Sequence, residues 1–440
     1  MGASKFAGRL RRARLERKMT VRELARRTGY SFGQLSKVEN GHARASEMLA
    51  RQCDAALGLD GKLIASLTEQ ADGEDPPGEG AVARSGDRYR NWCLSLKVDG
   101  ASELFRLSDH PGRPLHAPGP PLMRYPAARI SAPPEARFGS HAFDAMTALH
   151  ESTRILGRTA SPGVVLPLAI SQAHMLRSLA RDVRGQDRRR LLALGARVFE
   201  HTGWMAQEAG DDSAALWWTD DAVQVAAELG DLDMPRYALI RRALVMYYQR
   251  RPARTIDLAG RVLDDSAAAP ALRWMAAQRV AQGHALRGDH AASMRALEQA
   301  ERLRESAGAE APGHPSLGPA FAPGTTTLIT GWCLYDAGRP ARAAEALRQG
   351  LAAIPADAHR ARARFTARLA LALAAHHELE EAAACLDEAL GHVRRVESAT
   401  VQADLVELGR VLSRWPGAPV ARAVRLRLDE AIHGWSAEED

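Results

Sequence analysis

Six turn-forming stretches recur along the C-terminal half of the chain: AGDD at 209–212, RRP at 250–252, RGDH at 287–290, AGRP at 337–340, HHELE at 376–380 and WPGAP at 415–419. They lie close to 40 residues apart, with one interval of about 50 that contains the insertion GAEAPGHPSLGPAFAPG. Each period holds a helix, a short turn and a second helix, as in RWMAAQRVAQGHALRGDHAASMRALEQAERL. A recurring helical hairpin cannot bury its apolar face alone, so the period predicts a stacked α-solenoid in which each unit covers the next.

Composition points the same way. Hydrophobic residues make up 46% of the 440 and aromatics 5%; Ala and Leu dominate and β-branched runs are scarce, which favours a nearly all-α chain. The length suggests two or three domains at roughly 150 residues each. The net charge of +6 is uneven, because residues 1–62 hold 14 Lys or Arg against 6 Asp or Glu while the rest is slightly acidic. A small basic module on a near-neutral body predicts a polyanion partner at one end. Cys53, Cys93, Cys333 and Cys385 stand 40 or more residues apart with no C-x-x-C pair. No apolar run approaches the ~20 residues of a membrane span, and the first residues lack a signal-peptide core, so a reduced cytoplasmic setting is expected.

In the basic module, FAGRLRRARLERK places Phe6, Leu10 and Ala13 on one helical face, with Arg9, Arg11, Arg12 and Arg14 largely around the others. Thr20 and Glu23 have capping-box spacing and start a second helix that ends near Gly29. Ser31 and Gln34 repeat that spacing and start a third, FGQLSKVEN, which stops at Gly41. Ala25 permits close helix approach, Gly29 turns the chain and Leu35 fills the gap, the packing recipe of a helix-turn-helix.

Through ELARRTGYSFGQLSKVENG and the following SEMLARQCDAALGL and KLIASL, about the first 67 residues resemble the Xre family of helix-turn-helix repressors. The resemblance implies a five-helix domain whose third helix enters the major groove. It places Phe32, Gly33 and Lys37 at base-facing positions with Gln34 and Ser36 beside them, and Arg12, Ser31 and Arg44 complete the expected DNA-binding set. Val21 stands where a phosphate-binding Gln is common, Ala45 where a Pro often follows the ENG turn, and Gly33 offers no side chain to a base. Direct readout then rests on Lys37, Gln34 and a Phe32 contact with a thymine methyl.

Residues 72–86 are rich in Pro, Gly and acid and read as linker. Trp92, Leu94, Leu96 and Val98 alternate before an Asp-Gly turn, which predicts a small β-hairpin near 89–107. A second Pro-rich stretch, 110–136, is expected to be extended. The expected organisation is therefore a helix-turn-helix head at 1–70, a linker with a hairpin at 71–136, and a helical repeat domain at 137–436.

The repeats resemble degenerate tetratricopeptide units, with small residues such as Ala281, Gly283 and Ala285 on first helices. Joined to an Xre-like head, this architecture is similar to that of cytoplasmic peptide-sensing regulators and of related actinobacterial regulators. The inner helices carry Trp204, Tyr237, Arg241, Tyr248, Trp274, Gln278, Arg279, Gln282, Trp332 and Tyr335. Trp274, Gln278 and Gln282 fall at i, i+4 and i+8 on one face. Tyr237, Arg241, Trp274, Gln278, Arg279, Gln282 and Trp332 form the candidate ligand set. For each aromatic taken singly a core role is the commoner outcome. Peptide-sensing regulators of this architecture grip the ligand backbone with asparagines, but the only asparagines here are Asn40 and Asn91, outside the repeats. A small-molecule effector or a protein partner gains weight accordingly.

No catalytic constellation emerges: GLDGKL at 58–63 lacks the length of a phosphate loop, His376-His377 has no ligand companion at i+4, and no G-x-S-x-G occurs. The chain is expected to be no enzyme and to need no cofactor or metal. Two functions remain open. One is a regulator that binds a near-palindromic duplex as a homodimer and senses a small molecule or peptide through its repeats. The other is a DNA-anchored adaptor whose repeats recruit a protein.

Overall fold

The computed structural model describes residues 2–43, 45–68, 91–96, 102–107, 140–307 and 324–436. Five helices form the head: α1 Gly2–Glu16, α2 Val21–Thr28, α3 Phe32–Glu39, α4 Glu47–Leu57 and α5 Lys62–Thr68. Thr20, Ser31 and Ser46 are extended N-caps whose hydroxyls accept the amides of Glu23 (3.1 Å), Gln34 (3.1 Å) and Leu49 (3.2 Å). The Glu23 carboxylate accepts from Arg27 on the next turn. Phe6, Leu10, Leu24, Leu35, Leu63 and Ile64 are all buried in the head's core, with Ala25 at its edge.

Arg14, which the sequence placed off the apolar face of α1, is nevertheless part of the core. It is buried and grips Glu39 at the end of α3 through two hydrogen bonds of 2.5 and 2.8 Å, with a third to the Met19 carbonyl at 2.7 Å. Asp54 is buried and accepts the amides of Gly61 and Leu63 (2.7 and 2.6 Å), capping the start of α5.

The hairpin pairs β1 Asn91–Leu96 antiparallel with β2 Ser102–Leu107, Asn91 opposite Leu107 and Leu96 opposite Ser102. The 72–86 linker, the 110–136 stretch, Val98 and Arg44 lie outside the described residues. The repeat helices are α6 Ser140–Thr159, α7 Pro162–Asp182, α8 Gly185–Glu208, α9 Asp212–Leu229, α10 Asp233–Tyr248, α11 Pro252–Leu263, α12 Pro270–Leu286, α13 His290–Ala307, α14 Thr325–Asp336, α15 Pro340–Leu351, α16 His359–Ala375, α17 Leu379–Val396, α18 Ala399–Leu412 and α19 Pro419–Ser436. Five of them begin on proline, whose fixed φ and missing N–H suit the first helical position. All six turns picked out in the sequence fall between helices. Ala281 and Ala285 are fully buried on α12, and a Cβ on Gly283 would sit 2.6 Å from Ile256 of α11, so a larger residue would push the hairpin apart.

Residue contacts divide the chain into two compact units, Pro77–Pro235 and a unit made of Met1–Pro76 with Arg236–Asp440. In the first, Phe199 and Trp218 pack together on α8 and α9, Arg177 lies over Phe199 at 4.7 Å, and His150 of α6 is buried edge-on to His201 of α8. In the second, the head and the later repeats share one fold.

Candidate nucleic-acid interface and inner face of the repeats

The outward side of α3 is open. Phe32 is 50% exposed, Ser31, Gly33, Gln34 and Lys37 are exposed and Ser36 is half-buried, while Leu35, Val38 and Glu39 point inward. Arg22 of α2 lies over the Phe32 ring at 5.4 Å, and Arg12 is exposed on α1. The one acid of α3, Glu39, is turned inward and neutralised by Arg14, so the exposed face of α3 carries no carboxylate. The Ser31 hydroxyl is engaged as an N-cap, which leaves Gln34 and Lys37 as the polar side chains able to reach a base edge. No heavy atom lies within 4 Å of a Cβ built on Gly33, so the backbone there can approach a partner closely.

The seven candidate ligand residues are close together but mostly inside the fold. Trp274, Gln278 and Gln282 of α12, Tyr237 and Arg241 of α10 and Trp332 of α14 are all buried; Arg279 is half-buried. Arg241 donates to the Tyr237 hydroxyl at 2.8 Å, Arg279 donates to the Gln282 amide oxygen, and the Trp332 indole N–H donates to the Tyr247 hydroxyl. Arg368 of α16 stacks 3.4 Å over Trp332 and pairs with Asp404 of α18 at 2.6 Å. Burial pushes Arg279 down to about 10, with Arg364 and Arg241 adding to the effect. Two cavities of about 620 and 470 Å³ lie on the other side of these helices, lined by α13 residues such as Arg295 and Glu298, and neither includes any of the seven.

Residues 5–67 match the model of a helix-turn-helix domain family. The head is an Xre-type helix-turn-helix domain. No curated protein matches the chain. The crystal structure of a Rap protein complexed with competence and sporulation factor aligns over 68% of this chain and 100% of its own, at 12% identity and a TM-score of 0.41, a likeness too loose to carry an argument.

The helix-turn-helix domain is seated on the turns of the repeats. Arg250, Gly288, Gly338, His377 and Arg414, from alternate inter-helix turns (α10–α11, α12–α13, α14–α15, α16–α17 and α18–α19), all touch it. Arg250 pairs with Glu47 of α4 at 2.6 Å. Gly61 meets Gly288 so closely that a Cβ on Gly61 would lie 2.2 Å from the Arg287 carbonyl oxygen, and one on Gly338 would lie 2.5 Å from that of Arg51. The His377 ring fills the space a Cβ on Gly29 would need, and Arg414 lies 4.1 Å over the Tyr30 ring. Sequence reasoning marked these turns as punctuation and missed their second role.

A buried chain of polar contacts runs from this seat to the inner face. Arg51 of α4 donates to one Asp336 oxygen at 3.1 Å and to Glu47 at 2.5 Å. The Tyr247 hydroxyl donates to the other Asp336 oxygen at 2.5 Å, and itself accepts from Trp332. Arg51 and Asp336 are both almost fully buried. Burial raises the Glu47 carboxyl, but Arg51 and Arg250 more than reverse this and hold it at about 2. An aspartate in the apolar run ITGWCLYDAG was the sequence signal that an inward-facing charge needed a partner.

Proposed function

We propose that the chain is a transcriptional regulator that binds duplex DNA through α3 as a homodimer and is gated by an effector held on the inner face of its repeats. The observation that carries this is the seating of the helix-turn-helix domain: α3 faces outward while the Arg51–Asp336–Tyr247–Trp332 series ties α4 to the helices that bear the candidate ligand residues. Any movement of Trp332 or Tyr247 alters the acceptor that fixes Arg51, so a ligand that favours one arrangement biases the domain's seat. A coupling of ~1–3 kcal/mol would change operator affinity about 5- to 150-fold.

In this scheme residues 1–70 bind DNA, 71–136 connect and 137–436 sense and dimerise, in the cytoplasm. Phe32, Gly33, Gln34 and Lys37 face the bases, with Ser36 beside them, and Arg12, Ser31 and Arg44 contact or support the phosphate backbone. One small domain buries too little surface for tight specific binding, which favours two half-sites and a dimer. Adaptor function remains the second reading, favoured by the dense packing of Trp274 and Trp332, which fill the inner face.

The test is binding to a duplex selected from random sequence. Lys37→Ala should lower discrimination against random DNA, Arg12→Ala should weaken both alike, and affinity should fall steeply with salt. Equal discrimination by wild type and Lys37→Ala would refute the assignment of α3.

A further inference from the structure

Arg279 is an unusual residue to find where it is. It projects from α12 into the inner face, among Tyr237, Tyr248, Arg241 and Arg364, which are the charges and titratable groups that act on it most strongly. No carboxylate among the described residues lies within ion-pair distance of it; its hydrogen-bond partner is the neutral amide oxygen of Gln282. Lys and Arg are seldom buried without an acid, because desolvating a guanidinium costs several kcal/mol unless a counter-charge returns it.

The neighbours on α12 repeat the imbalance in neutral form. Gln282 is fully buried, and because its oxygen receives the Arg279 hydrogen bond its amide nitrogen is turned away, where it meets no acceptor. The Gln278 amide nitrogen and Arg279 Nε are also buried without an acceptor. Three residues of one helix, at positions i, i+1 and i+4, thus each carry a buried N–H donor with nothing to receive it. A buried donor without an acceptor is costly, and native folds rarely leave several on one helix.

We propose that Arg279, with Gln278 and Gln282, anchors the binding site for a compact oxyanion, a phosphate or carboxylate group of a small acidic ligand. Arg241 and Arg364 flank the site and add positive potential. An oxyanion supplies what the site lacks: negative charge, and several acceptor lone pairs in the fork geometry a guanidinium matches. The inference rests on the sensing function proposed above and narrows its ligand to an anion.

The experiment uses the full chain and two probes, inorganic phosphate and citrate, each against sodium chloride at equal ionic strength so that screening is matched. One or both should raise the melting temperature saturably, by on the order of 5 °C at a hundredfold excess over Kd; phosphate alone would indicate a phosphorylated ligand, citrate alone a carboxylate. Arg279→Met should abolish the anion-dependent rise and melt no lower than wild type without anion, since it removes an unpaired buried charge. Gln278→Leu should weaken binding about tenfold with the fold intact. The proposal is overturned if neither anion gives a saturable rise above chloride, or if Arg279→Met and Gln278→Leu respond as wild type does. Duplex affinity at saturating anion separates the two claims: anion binding without any change in DNA affinity sinks gating and leaves the site, whereas gating by a different ligand survives loss of the site.

Discussion

Replacing Asp336 with asparagine keeps the shape of the residue that joins the helix-turn-helix domain to the repeats and removes its charge. Arg51 lies 3.1 Å away and both side chains are almost wholly buried. At an effective dielectric of 20 the gross attraction is about 5 kcal/mol. Glu47 at 2.5 Å still compensates Arg51, and the asparagine oxygen can still accept its hydrogen bond. The net loss should therefore fall near the low end for a broken buried pair, about 3 kcal/mol. For a unit of this size that is a drop in melting temperature of roughly 6–12 °C. The assay is a double-mutant cycle with Arg51→Met by urea denaturation, read beside hydrogen exchange of the α4 amides. A coupling energy above about 1 kcal/mol, with α4 losing protection more than α16, is the expected result. A coupling below about 0.5 kcal/mol would refute the idea that this pair holds the seat.

Gly61→Ala should unseat the helix-turn-helix domain without unfolding it, because the new Cβ would collide with the Arg287 carbonyl and Gly61 has φ +89°; calorimetry should resolve a separate, lower transition for the head, and an unchanged single transition would contradict this. His150 gives a pH signature for the other unit: burial, then His201, pushes it down to about 4, so the unfolded chain takes up a proton first as pH falls below about 6.5. Stability should decline by about 3 kcal/mol between pH 6.5 and 4, and His150→Leu should flatten that slope in denaturant titrations.

What the sequence determined is what depends on near neighbours. The caps Thr20, Ser31 and Ser46 act on amides three residues away, the helix-initiating prolines act on their own φ, and the hairpin period repeats within about 40 residues, so each was legible from local order. The family resemblance put Phe32, Gln34 and Lys37 on the outward face of α3 and the packing recipe put Leu35 inside, and the first three are exposed and Leu35 buried. Long-range pairing was not legible. Arg12 and Arg14 look alike in sequence, yet only Arg14 finds Glu39, 25 residues on, and becomes part of the core. Arg51 and Asp336 are 285 positions apart, and nothing in the composition of either neighbourhood names the other. The aromatic and amide stripe on α12 was ambiguous for a related reason: an apolar ring at helical spacing satisfies a core and a pocket equally, and only the packing of α10, α14 and α16 around it decided that Trp274 and Trp332 are filled in while the Arg279 guanidinium is left without an acid. Local backbone chemistry fixes elements; which charges are buried together is set by which faces the chain brings into contact, and that belongs to the tertiary structure alone.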